Sequence, residues 1–254
     1  MRRRSAVLLV SGVLAVGGIL LPSIQQQGSH GDTKILKVVV NDGRPVVLDA
    51  AGSSPITFSI TAEDKSGIKS VDSIGLWGAN YGVLVPSKAT CVATSKTESV
   101  CTGTSSVSVP ARQIYDNMAG SWYVQATANA NDGDKRTEAK AGRFKILKQV
   151  TDTLYGMTAP VARNEPFTIS GQVLKPDWKT QQQVANPGAR MLLELCSNPD
   201  CTKSTVVAKA RSDRSGDVAV TIRAAQTGTY MWVSPATFWS AAATSQQVQV
   251  EVTP

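Results

Sequence analysis

From Asp32 onward the chain alternates apolar and polar residues with a period of two. It is rich in Thr, Val and Ile, and Gly, Pro, Asn or Asp breaks the pattern every eight to twelve residues. A period of two puts every second side chain on one face of a strand, and short strands at this spacing stack as two antiparallel sheets around a shared core. The expected class is therefore all-β, a sandwich. A chain of 254 residues is long for one ordinary small domain and suits two, of about 100 to 120 residues each.

In the first half, Lys34–Val40 reads as an opening strand. Ile56, Phe58, Ile60 and Ala62 share a face ahead of an Asp64-Lys65-Ser66-Gly67 turn, and residues 68–77 return beside them. Residues 111–119 are the one stretch of this half that reads as a helix, about two turns long. It leads into Gly120-Ser121-Trp122-Tyr123-Val124, and Asn131-Asp132-Gly133-Asp134 forms the next turn. The second half repeats this grammar: Phe167, Ile169, Gly171 and Val173 alternate, as do Val218, Val220 and Ile222. Gly228-Thr229-Tyr230-Met231-Trp232-Val233 echoes the first half's Gly-to-Trp entry into a late strand. The boundary falls near 148–151, giving domains 32–148 and 149–254.

The first residues differ in kind. Arg2, Arg3 and Arg4 precede an apolar run over 6–21, the pattern of a secretory signal. Residues 1–27 read as a signal peptide or, if uncleaved, as an N-terminal anchor. The run is shorter than the roughly 18 to 20 residues a spanning helix needs, and no other membrane contact is indicated. The protein is expected to be secreted or extracellular, or held at the cell surface by that segment. In such a compartment Cys91, Cys101, Cys196 and Cys201 read as disulfides. Three pairings are formally open; the local one, Cys91 with Cys101 and Cys196 with Cys201, keeps each link inside one domain.

The same residues limit the chemistry. The single histidine, His30, lies in the linker after the signal, so zinc ligation and histidine-based catalysis have no residues to use. No P-loop or dinucleotide fingerprint occurs. Three of the formal +7 charges belong to the N-terminal arginines, and the remaining basic residues are scattered rather than striped, which speaks against nucleic acid as a partner. Two carboxylates can hydrolyse a glycoside, and Asp64, Asp132 and Asp134 are available, but Asp in a Gly-containing turn ordinarily bonds its own backbone. Calcium takes hard oxygen ligands from such loops. The candidate ligands are Asn131, Asp132 and Asp134, with Asp64 from a neighbouring turn; the spacing is not that of an EF-hand. Trp178 and Trp239 fall outside clear alternation and are the candidates for an exposed, ligand-binding aromatic.

Three stretches carry a resemblance: Gly31-Asp32-Thr33-Lys34-Ile35 leading to Val38-Val39-Val40-Asn41, Thr61 to Ile68 with its Ala-Glu-Asp-Lys-Ser-Gly interior, and Ala119-Gly120-Ser121-Trp122 continuing to Asp134. With them the chain resembles a group of exported actinobacterial proteins of unknown function, some loosely labelled calcium-binding. The resemblance implies two Ig-like domains covering nearly all of the mature chain. The leading functional expectation is a non-catalytic extracellular module whose loops or interdomain groove meet a cell-wall polymer, glycan or protein partner, without a cofactor. The alternatives are a calcium-binding module and a carboxylate-based glycan-active enzyme.

Overall fold

The computed structural model describes residues 28–156, 159–198 and 200–254; the segment read as a signal or anchor lies outside the described residues. Among those described, no helix is long and apolar enough to cross a membrane. The protein is all-β, and its strands pair into sheets that face each other as sandwiches.

In the first half, Lys34–Val40, Ser53–Glu63, Glu98–Ser108 and Thr90–Ala93 lie in that order as one antiparallel sheet. The facing sheet runs Gly28–His30, Lys135–Lys148, Gly120–Ala130, Ile68–Gly78 and Val83–Leu84, with Val46–Leu48 joining Lys135–Lys148 in parallel. Alternation decides what meets between them. Ile56, Phe58, Ile60 and Ala62 from one sheet and Trp122, Val124, Ala126 and Ala128 from the other are all buried in one apolar cluster. Burial of each of the larger side chains stabilises the fold by roughly 1.5–3 kcal/mol. The Cys91–Cys101 disulfide joins residues directly opposite each other on neighbouring strands.

Two details of this half depart from the sequence reading. His30 is not in a linker: Gly28–His30 pairs antiparallel with Lys135, Arg136 and Thr137 and occupies that strand's edge. The helix expected over 111–119 is a single short 3-10 turn, Asp116–Met118. So short an isolated helix is marginal in any case, and here Arg112 stands at φ +57°, outside the right-handed helical region, while the Gln113 N–H turns back to the Ser108 carbonyl at 3.2 Å. The Met118 carbonyl accepts the Trp122 indole N–H at 2.8 Å, and the Asp116 carboxylate accepts the backbone N–H of Trp178 at 3.0 Å.

In the second half, Thr151–Leu154, Pro166–Asp177 and Gln182–Ala185 form one sheet with Asp217–Arg223. The other contains Ser204–Arg211, Arg190–Cys196, Gly228–Ser234, Ala243–Thr244 and Val248–Val250. Ile169, Val173, Met191, Leu193, Val218 and Trp232 fill the space between them. Cys196 and Cys201 are joined across the loop that leads from Arg190–Cys196 to Ser204–Arg211.

The two apolar clusters abut around Lys148, the last residue of its strand. Its backbone N–H donates to the Trp239 carbonyl at 2.9 Å, and its own carbonyl accepts from Ala241 at 3.1 Å. Its ammonium donates to the Asp116 carboxylate and to the Pro176 carbonyl, and lies 5.4 Å from the centre of the Trp178 ring. Gly120 completes the contact. Its φ of +115° suits glycine, and a Cβ there would stand 2.6 Å from the ring of Phe238. The halves are thus held by backbone and side-chain bonds from several elements at once.

Candidate functional site

The sequence-derived candidates separate into two places. Asp64, Asn131, Asp132 and Asp134 lie in loops at one end of the first sandwich, where Asp32 joins them. Trp239 lies at the junction of the halves.

At the loop end, Asp64 is not an exposed turn carboxylate; it is 1% exposed. Thr33 donates its hydroxyl to one Asp64 oxygen at 2.7 Å, and the Ser66 backbone N–H and hydroxyl donate to the other, each at 2.8 Å. Burial pushes the Asp64 carboxyl upward, but these hydrogen bonds, with the nearby Lys65 charge, outweigh it and hold the group below the usual aspartate value. Carboxylate oxygens of Asp32, Asp64 and Asp134 lie within 4.8 Å of one another. Gly31 makes this approach feasible, since its φ is +82° and a Cβ there would overlap the Asp134 carboxylate. Lys65 pairs with Asp32 at 2.8 Å. Asp134 also accepts the Asp32 backbone N–H, at 3.2 Å.

The remaining two sequence candidates are spent on the turn. Asn131 donates to the Ser66 carbonyl at 2.8 Å, and Asp132 accepts the backbone N–H of Asp134 at 3.1 Å. The carboxylates that converge are therefore Asp32, Asp64 and Asp134. Asp32, absent from the sequence-derived set, is brought in because the segment before Lys34–Val40 passes over the 131–134 turn.

The expectation for Trp178 is overturned. Its ring is fully buried, it belongs to the first half's apolar cluster, and its indole N–H donates to the Asp49 carbonyl at 3.0 Å. Pro176 and Asp177 do mark a turn beside it, at the tip of the hairpin made by Pro166–Asp177 and Gln182–Ala185. That tip reaches across the junction, where Asp49, Asp116 and Lys148 of the first half meet the indole and its backbone.

Trp239 is 59% exposed and stacks edge-on against Phe238 with ring centres 5.4 Å apart. The Thr237 hydroxyl accepts the backbone N–H groups of Trp239 and Ser240, and the Trp239 carbonyl takes Lys148. An exposed indole thus stands on a fixed backbone. It borders a groove of about 670 Å³ between the halves, whose charged walls are Lys148, Lys175, Arg190, Arg211 and Asp116. Another hollow, about 790 Å³, lies at the open end of the second sandwich and has one charged residue, Arg223, among apolar neighbours such as Leu195 and Ile222.

Behind the groove wall sits Asp152, 6% exposed. Ser234, itself a wall residue, donates its backbone N–H to Asp152 at 2.9 Å and its hydroxyl at 2.6 Å. Burial raises the Asp152 carboxyl above its ordinary value, and the bonds from Ser234 offset only part of that.

No protein-family model and no curated protein sequence matches the chain. Among solved structures, the fibronectin(III)-like modules of Clostridium thermocellum CbhA are similar over 85% of this chain and 94% of theirs, at 13% identity and a TM-score of 0.37. A chain of the complex between Dpr2 Ig1-Ig2 and DIP-Theta Ig1-Ig3 is similar over 85% of this chain and 98% of its own length, at 14% identity and a TM-score of 0.32. The D00-D0 domain of intimin covers 84% and 99% at 11% identity and a TM-score of 0.29. Likenesses this distant say nothing about a ligand, and the architecture stands on the strand pairing described above.

Proposed function

We propose that the chain is a secreted, non-catalytic Ig-like binding module that takes an extracellular ligand in the groove between its two halves. The observation that carries this reading is the exposed Trp239 indole, fixed on a bonded backbone at the mouth of a groove whose walls come from both sandwiches. Loops and junctions held on rigid sheets are where such binding sits. Export is supported by the basic and apolar N-terminal pattern and by two disulfides. A binding rather than catalytic role is supported by the groove's one carboxylate, Asp116, being engaged by Lys148 and by the Trp178 backbone. The test is co-sedimentation of the exported protein with insoluble cell-wall polysaccharide. Wild type is expected in the pellet and Trp239→Ala in the supernatant; equal pelleting of the two, or no pelleting of wild type, would overturn the reading.

A second reading, a divalent-cation module, is favoured by the convergence of Asp32, Asp64 and Asp134. These residues supply hard oxygens suited to calcium, against which Asp64 already has three hydrogen-bond donors. A cation bound only by the folded state raises the melting temperature. A rise of several degrees with millimolar calcium, lost in Asp134→Asn, is the expected result on this reading, and an unchanged melt rejects it.

A further inference from the structure

Strand pairing in the second sandwich puts Arg190 directly opposite Arg211. Residues opposite each other in an antiparallel pair point to the same face, and like charges so placed destabilise the pair. Arg190 and Arg211 both line the groove, and so does Lys175. Among the described residues, none of these three has a carboxylate within salt-bridge distance; the ion pairs are Lys65 with Asp32, Arg136 with Glu138, and Lys148 with Asp116. Arg211 is steadied by donating to the Gly188 carbonyl at 2.9 Å. Lys148 is neutralised by Asp116, which leaves the groove with three unmatched positive charges beside one exposed indole.

Resting on the groove reading, we infer that the ligand is an acidic polysaccharide, with a carboxylate or phosphodiester group seated between Arg190 and Arg211 and a sugar ring against Trp239. Guanidinium groups match the planar, two-oxygen geometry of such anions. An anion between the two arginines removes their mutual repulsion, so the binding free energy includes relief of a cost the free protein carries. Trp239 offers the apolar face on which a pyranose ring stacks. Two other polyanions fit less well. Single-stranded nucleic acid is gripped by successive aromatic platforms, and this groove has one. A membrane surface is met by a flat or convex face, whereas these charges sit within a concave space of about 670 Å³.

The test is calorimetric titration of the exported protein with tetragalacturonate, with a glycerol-phosphate oligomer, with a neutral tetrasaccharide and with oligothymidylate, each in 50 and 500 mM NaCl. At least one of the first two is expected to bind at low salt, to weaken several-fold at high salt, and to weaken about tenfold or more in Arg190→Gln, in Arg211→Gln and in Trp239→Ala. The two oligomers distinguish a carboxylated from a phosphodiester polymer. Binding of the neutral sugar, abolished by Trp239→Ala and untouched by Arg190→Gln, overturns the acidic ligand and leaves the groove reading standing. Tighter binding of oligothymidylate than of either acidic oligomer overturns the polysaccharide class. Absence of binding by both acidic oligomers to folded protein overturns the inference; if wall co-sedimentation is also unaffected by Trp239→Ala, the groove reading falls with it.

Discussion

Trp178 belongs by sequence to the second half and by burial to the first. Replacing it with alanine removes an indole that is fully enclosed in the first apolar cluster. Truncation of a buried tryptophan costs about 3–5 kcal/mol. The bond from its N–H to the Asp49 carbonyl adds about 1 kcal/mol, because that carbonyl loses its partner. The ammonium of Lys148, 5.4 Å from the ring centre, loses a weaker attraction. A total near 4–6 kcal/mol rivals the whole stability of a small domain. At about 3–4 °C per kcal/mol for a unit of this size, the melting midpoint should fall by more than about 10 °C. The assay is a thermal and a urea melt of the exported Trp178→Ala protein, followed by far-ultraviolet circular dichroism and by calorimetry. The first half should carry the loss although its own residues are unchanged. A midpoint within about 2 °C of wild type, or a loss confined to the transition of the second half, would refute the placement of this side chain.

Three further outcomes follow from the same structure. Gly120→Ala places a Cβ 2.6 Å from Phe238 at a φ of +115° and should cost about 1–3 kcal/mol. Adding Phe238→Ala should recover the steric part, and a denaturant-measured double-mutant cycle without coupling would contradict the contact. Asp152 has a raised carboxyl in the folded state, so the native protein holds that proton more tightly than the unfolded chain, and its share of stability falls as pH rises from the ordinary aspartate range through the raised value. Asp152→Asn keeps an oxygen for Ser234 and cannot ionise; it should be at least as stable as wild type at pH 7 and show a smaller decline from acid to neutral pH, and an unchanged decline in urea melts would dismiss the effect. Cys91→Ser with Cys101→Ser should lose roughly 2–3 kcal/mol, and non-reducing peptide mapping of wild type should recover the local pairs; a Cys91 to Cys196 link would contradict the fold.

The strands were legible where one face of a single sheet decides burial. The period of two in Ile56, Phe58, Ile60 and Ala62 needs no knowledge of the partner sheet, and all four are buried. The local cysteine pairing was legible for a similar reason, because each pair spans one turn. Trp178 was not, because its enclosure comes from Asp49, Asp116 and Lys148 across the junction, and Pro176-Asp177 looks the same whether a hairpin tip is solvated or docked. The segment 111–119 reads as a helix, but Arg112 takes a left-handed backbone, φ +57°, and only Asp116–Met118 closes a turn. Asp32 was missed at the loop end, since only the return of the chain over the 131–134 turn brings it to Asp64 and Asp134. The opposition of Arg190 and Arg211 depends on strand register, including the irregularity after Leu193, and no composition or spacing rule contains it.

The strand Gly120–Ala130 also fixes how far apart the two candidate sites lie. Its first residue packs on Phe238 beside the cation-lined groove, and its last leads into the turn that carries Asp132 and Asp134. Eleven residues of strand separate these ends by roughly 35 Å. The groove and the carboxylate loops therefore stand a strand's length apart, too far for one small ligand to touch both.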